Sequence, residues 1–268
     1  MGVLLCYNTI MTTIGNHLRT WGLDVDDSNI VSGRPGTFVP RGVLCHHTAS
    51  SRTSGNFGSL NIVTKGRSDL PGPLCQFLLG RDGKVKIITL GRANHAGYGG
   101  PYAGIPKDEG NSYLWGIEAE NDGIGELWTD AEYQAYVALC AALSTYSKFT
   151  VDKVFGHKEW TSRKIDPANI NMDDFRKAVS LRLKKGPNKN TISVSKLVAG
   201  KASPEVVRVK RRLKKLGFFK GATLSPFFGK NLTKAYAAYQ RSLGYKGANA
   251  NGTVGETSLK SLGFIPLP

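Results

Sequence analysis

The sequence predicts an α/β domain followed by a small all-α domain. In the first 185 residues, short apolar runs typical of strands alternate with stretches in which apolar residues recur at helical spacing, an order typical of helices packed around a sheet. In the last third, the apolar residues fall on three helical stripes. A length of 268 residues is compatible with one large domain or two smaller ones.

Strands are predicted in four places, one of them the run 115–118, and two of the four end at a histidine. The apolar run 42–45 leads into His46, and the run 154–156 leads into His157. Between them, segment 76–88 consists of two strand-like runs around an Asp-Gly turn, which is typical of a hairpin.

Helices are predicted before and after these strands. A short helix is expected near residues 16–21, and Thr129 with Glu132 has the spacing of a capping box that opens a long amphipathic helix ending near Ser147. Asn171 precedes a final helix of this domain. Its apolar residues recur every four positions, at Phe175, Val179 and Leu183.

Charge divides the chain sharply. Residues 1–180 carry 18 Lys and Arg against 18 Asp and Glu, whereas residues 181–268 carry 18 Lys and Arg against two acids, so the net charge of +16 lies in the last third. Such asymmetry favours two modules, one neutral and one that meets a polyanion. We expect a first domain over residues 1–185, a linker over 186–200 and a second domain over 201–268.

The basic module is predicted to be a compact bundle of three helices. Ser203 is a suitable N-cap, Pro204 suits the first helical position, and Gly217 ends the helix. The apolar stripe of this helix is Val206, Val209, Leu213 and Leu216, and that of the second helix is Leu232, Tyr236, Tyr239 and Leu243. A short third helix contributes Leu259 and Leu262, and basic residues, Lys210 among them, are expected on the outside.

Cysteine usage and the N-terminal sequence indicate the cellular compartment in which the protein is made. Cys6, Cys45, Cys75 and Cys140 are widely spaced without a C-x-x-C pair, so reduced thiols are expected. The first residues lack a basic n-region, and no apolar run has the length of a transmembrane segment. We therefore expect synthesis in a cytoplasm without a signal peptide, with Met11 as an alternative start.

His46, His157 and Asp166 are candidate metal ligands. Two imidazoles and a carboxylate leave one tetrahedral position open, which distinguishes a catalytic zinc site from a closed structural one. Adjacent residues of a strand point to opposite faces, so either His46 or His47 can bind, but not both. Asp166 follows His157 by nine residues and precedes a proline, which implies a loop that folds the carboxylate back.

Four motifs around these residues occur together in a known family. They are Leu44-Cys45-His46-His47-Thr48-Ala49, Ala93-Asn94-His95-Ala96-Gly97, Trp115-Gly116-Ile117-Glu118, and the run from Gly156-His157 through Arg163-Lys164-Ile165-Asp166-Pro167. Over roughly residues 34–178, the chain resembles the type 2 N-acetylmuramoyl-L-alanine amidases, which are related to the peptidoglycan recognition proteins. The resemblance implies a mixed central sheet flanked by helices.

The resemblance also implies a zinc hydrolase and assigns its residues. His46, His157 and Asp166 correspond to the family's zinc ligands. Glu118 corresponds to the general base toward the bound water, and Lys164 to the residue that holds the negative oxygen formed on the attacked carbonyl. The amide that this chemistry cleaves joins the lactyl group of N-acetylmuramic acid to L-alanine.

The sequence leaves alternative roles open for other residues near the implied site. His95 and His47 are expected to contact substrate, and His47 otherwise packs or forms a hydrogen bond. Glu120 shares the strand face of Glu118, so strand alternation alone does not decide which of the two acids is the general base. Where many relatives have a Tyr-His pair, this chain has Cys75-Gln76, so help from that tyrosine is absent.

The basic module is similar to peptidoglycan-binding domains, with Phe228-Gly229, Thr233 and Gln240 at matching positions. The resemblance implies binding to peptidoglycan, and the positive charge favours the anionic polymers of the wall. No nucleic-acid readout motif is present. The whole chain is similar to a bacteriophage endolysin, stored in the host cytoplasm, acting on the wall after release and expected to be a monomer. The alternative is a non-catalytic peptidoglycan-recognition protein.

Overall fold

The computed structural model describes residues 14–222 and 224–267. The chain divides into two compact units between Pro187 and Asn188. The predictions that concern Cys6, the alternative start at Met11 and the absence of a signal peptide fall on residues outside those described.

A mixed six-stranded sheet forms the centre of the first unit. Its strands, with those of a small separate hairpin, are β1 (Val25–Asp26), β2 (Gly42–His47), β3 (Gly66–Arg67), β4 (Leu70–Pro71), β5 (Phe77–Leu79), β6 (Val85–Ile87), β7 (Leu114–Ala119) and β8 (Val154–Gly156). β3 and β4 pair with each other, and the remaining strands lie in the order β1-β6-β5-β7-β2-β8. All neighbours are parallel except β5 and β6, which form the predicted antiparallel hairpin.

Helices flank this sheet, as predicted from the sequence. They are α1 (residues 14–20), α2 (Leu60–Lys65), α3 (Gly110–Tyr113), α4 (Asp130–Ser147), α5 (His157–Trp160) and α6 (Met172–Lys185). The Thr129 hydroxyl accepts a hydrogen bond from the backbone N–H of Glu132 at the start of α4, and Asn171 caps α6 in the same way. None of the described helices is long and apolar enough to cross a membrane.

The alternation of side chains along β2 decides which residues face the core and which face the site. Val43 and Cys45 pack with α4 and α6 in the largest apolar cluster, whereas Leu44 packs in a separate cluster on the opposite face of the sheet. His46 shares the face of Leu44 because successive strand residues point to opposite sides. Cys45, Cys75 and Cys140 are buried free thiols, as predicted.

The second unit contains the three predicted helices and a small parallel sheet that was not predicted. The helices are α7 (Pro204–Lys215), α8 (Lys230–Ser242) and α9 (Glu256–Ser261), and the sheet pairs β9 (Thr191–Ser193) with β10 (Ile265–Leu267). Part of the expected linker 186–200 is therefore folded. Its residues Ile192 and Leu197 are buried in the core of this unit, and burial of these side chains favours an ordered segment.

Three side chains of the second unit differ from the predicted pattern. Leu216 and Leu243 are 53% and 39% exposed, because each follows the last turn of its helix, where the chain leaves the apolar stripe. Lys210 is 5% exposed rather than on the outside. Its ammonium donates hydrogen bonds of 2.9 and 2.8 Å to the carbonyls of Ser225 and Phe227, which satisfies the buried charge.

Candidate active site

The carboxyl ends of β2 and β7 place a histidine and a carboxylate side by side. His46 and Glu118 are register partners on these neighbouring parallel strands. Both side chains lie on the sheet face opposite α4, because Val43, Cys45 and Ile117 occupy the α4 side. The strand ends thus place an imidazole and a carboxylate in one cleft.

The other two candidate ligands come from β8 and the loop after α5. His157 is the first residue of α5, directly after β8. The loop returns to it, since the backbone N–H of Lys158 donates to the carbonyl of Asp166 at 2.9 Å. The Lys158 ammonium also donates to the carbonyls of Pro167 and Ile170 at 2.9 and 2.7 Å. These bonds hold the Asp166 carboxylate beside His157.

His46, His157 and Asp166 form one compact group that could hold a metal ion. The Nδ1 atom of His46 lies 3.0 Å from the Nδ1 atom of His157 and 2.9 Å from Oδ2 of Asp166. The distance from His157 Nδ1 to the same carboxylate oxygen is 3.1 Å. All three residues are buried.

The outer hydrogen bonds of the histidines assign their tautomers. His157 Nε2 donates to the carbonyl of Ala96 at 3.1 Å, which leaves its Nδ1 with a lone pair. His95 Nε2 donates to the carbonyl of Leu114 at 3.2 Å, so His95 Nδ1 accepts from His46 Nε2, also at 3.2 Å. The Nδ1 of His46 is then an acceptor as well.

With these tautomers, three acceptor atoms face one point. Burial, followed by the charge of His157, lowers the pKa of His46 to about 4, so its imidazole is neutral near pH 7. The lone pairs of two imidazole nitrogens and of a carboxylate oxygen repel one another at these distances unless a cation lies between them. Nitrogen and oxygen donors of this kind suit Zn²⁺, and the residues present fit a three-ligand zinc site.

Glu118 faces the same cleft with part of its carboxylate unpaired. Its Oε2 is buried and has no hydrogen-bond partner among the described residues. Burial, and then the charge of Asp166, raises the pKa of Glu118 well above its ordinary value. With His46, Asp166 and Lys164, it lines a cavity of about 430 Å³. A carboxylate of raised pKa in an open cleft is suited to accepting a proton.

Glu120, the alternative in the sequence, has a different environment. It is fully buried, and its Oε1 accepts a hydrogen bond of 2.8 Å from the backbone N–H of Ser59. Its Oε2 lies 3.2 Å from the Thr48 hydroxyl and 3.4 Å from a nitrogen of Arg81. Because its oxygens are satisfied and it does not line the cavity, Glu120 acts as a support for the loop after β2.

The structure places the remaining candidates around the three ligands. Lys164 is exposed at the mouth of the cavity. His47 lines the same cavity but stays outside the three-residue group, and its Nδ1 accepts a hydrogen bond of 3.0 Å from the backbone N–H of Ala168. His95, expected to contact substrate, is 8% exposed and bonded to His46, although it also lines the cleft.

Three supporting residues were missed by sequence reasoning. Asn111 Oδ1 accepts hydrogen bonds of 2.9 and 2.8 Å from the backbone N–H groups of His95 and Ala96. Gln76 is fully buried and accepts from the backbone N–H of Gly116 at 2.6 Å. The Tyr136 hydroxyl donates to the carbonyl of His46 at 2.9 Å from within the main apolar cluster. No local motif marks these contacts.

Gly116 is required for the placement of His95. A Cβ atom at this position would lie 2.6 Å from the His95 ring. We expect Gly116→Ala to displace the ring and weaken zinc binding by about 10-fold to 100-fold, the usual effect of losing an outer partner of a metal ligand. Competition with a chromophoric chelator measures this affinity. In a His95→Ala background, the same change should have little further effect, and an equal effect in both backgrounds would contradict this role.

The site is typical of enzymes that cleave amide or ester bonds with the help of a metal ion: two histidines and an aspartate beside an unpaired carboxylate in an open cleft. The family model described as N-acetylmuramoyl-L-alanine amidase matches residues 35–169, and this chain belongs to that family. It is accordingly an amidase that acts on peptidoglycan, as the sequence motifs predicted.

The chain is similar to several solved structures of amidases and endolysins. An endolysin N-acetylmuramoyl-L-alanine amidase, LysCS, from Clostridium intestinale is 19% identical with a TM-score of 0.41, over 57% of this chain and 96% of that one. A mutant endolysin from Bacillus subtilis is 20% identical with a TM-score of 0.45, and the match covers 59% of this chain and 99% of that chain. The Staphylococcus aureus hydrolase AmiA is 14% identical with a TM-score of 0.45, over 62% and 86%. No curated protein matches the chain.

Proposed function

We propose that this chain uses Zn²⁺ to hydrolyse the amide between N-acetylmuramic acid and L-alanine in peptidoglycan. The observation that carries the proposal is the convergence of three lone pairs, from His46, His157 and Asp166, beside the unpaired Glu118 carboxylate. Family membership supports the choice of substrate. The chemistry that Zn²⁺ supplies when bound is polarisation of the carbonyl and a fall in the pKa of water from 15.7 to about 7.

The residues of the chain divide the remaining work. Glu118 takes a proton from the attacking water, which its raised pKa favours, and returns it to the departing amine. Lys164 stands at the mouth of the cleft, where its ammonium stabilises the negative oxygen of the attacked carbonyl. His95 orients His46 through the Nε2–Nδ1 hydrogen bond, and His47 contributes to the wall of the substrate cleft.

The two parts of the chain have different tasks in this proposal. Residues 1–185 form the catalytic domain, and residues 201–268, which carry most of the net positive charge, bind the wall. An amidase joined to a cationic module supports the role of a phage endolysin, made in the host cytoplasm, acting on the wall after release, and working as a monomer. A non-catalytic recognition protein is disfavoured because all ligand candidates and Glu118 are present.

The products of digestion test which bond is cleaved. Purified peptidoglycan incubated with the protein should release intact stem peptides that begin with a free L-alanine amine, identified by mass spectrometry. The sugar chains should remain uncut, because the site suits attack on an amide carbonyl. New reducing sugar ends, or peptides cut internally, would overturn the assignment.

A further inference from the structure

A cationic pocket lies in the second unit, and none of its lining residues belongs to the candidate amidase site. It has a volume of about 300 Å³ and opens between α7 and the segments that precede β9 and β10. Its lining residues are Lys189, Asn190, Arg208, Arg211, Arg212, Lys215 and Phe264. We propose that this pocket binds phosphate groups of an anionic polymer attached to the bacterial wall, an inference that rests on the proposed wall-binding role.

Two of the guanidinium groups are held in place by the fold. Arg208 donates hydrogen bonds of 2.6 Å to the carbonyls of Lys189 and Thr191, and its guanidinium lies 5.3 Å from the centre of the Phe264 ring. The guanidinium of Arg212 lies 5.7 Å from the same ring. Stacking on an aromatic face limits the motion of both groups, so the pocket is preorganised for an anion.

Among the residues that the structure describes, no acidic side chain lines the pocket. The second unit contains two acidic residues, Glu205 and Glu256, and neither is among its lining residues. Within the residues that the structure describes, the ion pair of this unit joins Lys196 to Glu205 at 3.7 Å, away from the pocket. Five cations in about 300 Å³ repel one another, and an anion from outside the chain would relieve this repulsion.

The geometry favours phosphate over carboxylate. The cationic donors come from two segments, α7 and the residues before β9, so they can approach a ligand from more than one direction. A tetrahedral oxyanion accepts hydrogen bonds from several directions, whereas a carboxylate is planar and suits one guanidinium fork. Phe264 is 5% exposed, so the pocket offers no open ring on which a nucleobase could stack.

Binding to two forms of the same cell wall tests the proposal. The full chain is mixed, in the presence of a zinc chelator that prevents digestion, with peptidoglycan that carries its phosphodiester-linked polymer and with peptidoglycan stripped of it by hydrofluoric acid. We compare wild type with the double variant Arg211→Gln, Lys215→Gln. The control is Arg241→Gln, Lys246→Gln, which removes the same charge from exposed residues outside the pocket.

The pocket variant should bind the polymer-bearing wall about 10-fold more weakly, because it loses charged hydrogen bonds. The control should change by less than about 2-fold, as expected from screened charge alone. All three proteins should bind the stripped wall equally. Inorganic phosphate should displace wild type from the polymer-bearing wall more effectively than chloride does at equal ionic strength. If phosphate instead displaced more wild type from the stripped wall than from the polymer-bearing wall, the pocket would be assigned to the free ion.

Other outcomes would overturn the proposal. Equal losses in the two variants would indicate net charge without a site, and equal wild-type binding to both walls would exclude the polymer phosphate. Stronger retention by a DNA duplex at equal phosphate concentration would assign the pocket to nucleic acid. Amide cleavage is measured separately, on the stripped wall after zinc is added back. Failure of the phosphate-binding proposal and failure of the amidase proposal therefore give different results.

Discussion

His46→Ala is expected to lower amide hydrolysis by more than about 100-fold. Loss of an outer partner of a metal ligand already costs 10-fold to 100-fold, and this change removes a ligand itself. It also leaves His157 and Asp166 as an incomplete pair, so zinc affinity should fall with activity. Hydrolysis of purified peptidoglycan and zinc content after dialysis are the two measurements.

The neighbouring histidine provides a matched control for this variant. His47 is on the same strand but outside the three-residue group, so His47→Ala should retain zinc and lose less activity than His46→Ala. Binding of the His46→Ala protein to peptidoglycan should persist, because the second unit is unchanged. Full hydrolysis by His46→Ala would remove this residue from the site.

Glu118→Gln is expected to lower the catalytic rate by about 100-fold to 10,000-fold, the usual contribution of a general base. The amide has nearly the same shape as the carboxylate but cannot take a proton from water. Because Glu118 is outside the group that could hold the metal, zinc binding and thermal stability should remain close to those of wild type. Single-turnover rates and zinc titration separate the two effects.

Glu120→Gln distinguishes the two acids that the strand pattern leaves equivalent. Glu120 is buried and paired with Arg81 and Ser59, so its replacement should reduce the free energy of unfolding by about 1–3 kcal/mol. The rate per folded molecule should change much less than with Glu118→Gln. A larger rate loss for Glu120→Gln would exchange their assigned roles.

Local pattern predicted the elements that position the ligands. The apolar run before His46, the run before His157 and the capping signals at Thr129 and Asn171 each correspond to an observed strand or helix start. These features depend on residues close together in the sequence, through strand alternation and N-cap hydrogen bonds. Strand alternation predicted that only one of His46 and His47 could be a ligand, and the family resemblance selected His46.

Contacts between distant segments could not be predicted in this way. His95 lies against His46 because Gly116 leaves space for its ring and Asn111 holds its backbone, and no local signal connects these residues. The pairing of β9 with β10 joins the start and end of the second unit. Lys210 is buried because carbonyls of a later loop surround its ammonium. Each case depends on tertiary packing.

The central claim is that amide hydrolysis depends on one zinc ion held by His46, His157 and Asp166. Metal-free protein is titrated with Zn²⁺ while newly formed L-alanine amines are counted on purified peptidoglycan. We expect negligible initial activity, a linear rise and a plateau at about one zinc ion per chain, since the described residues supply one such group. Full activity without added zinc, in protein shown to be free of metal, would contradict it.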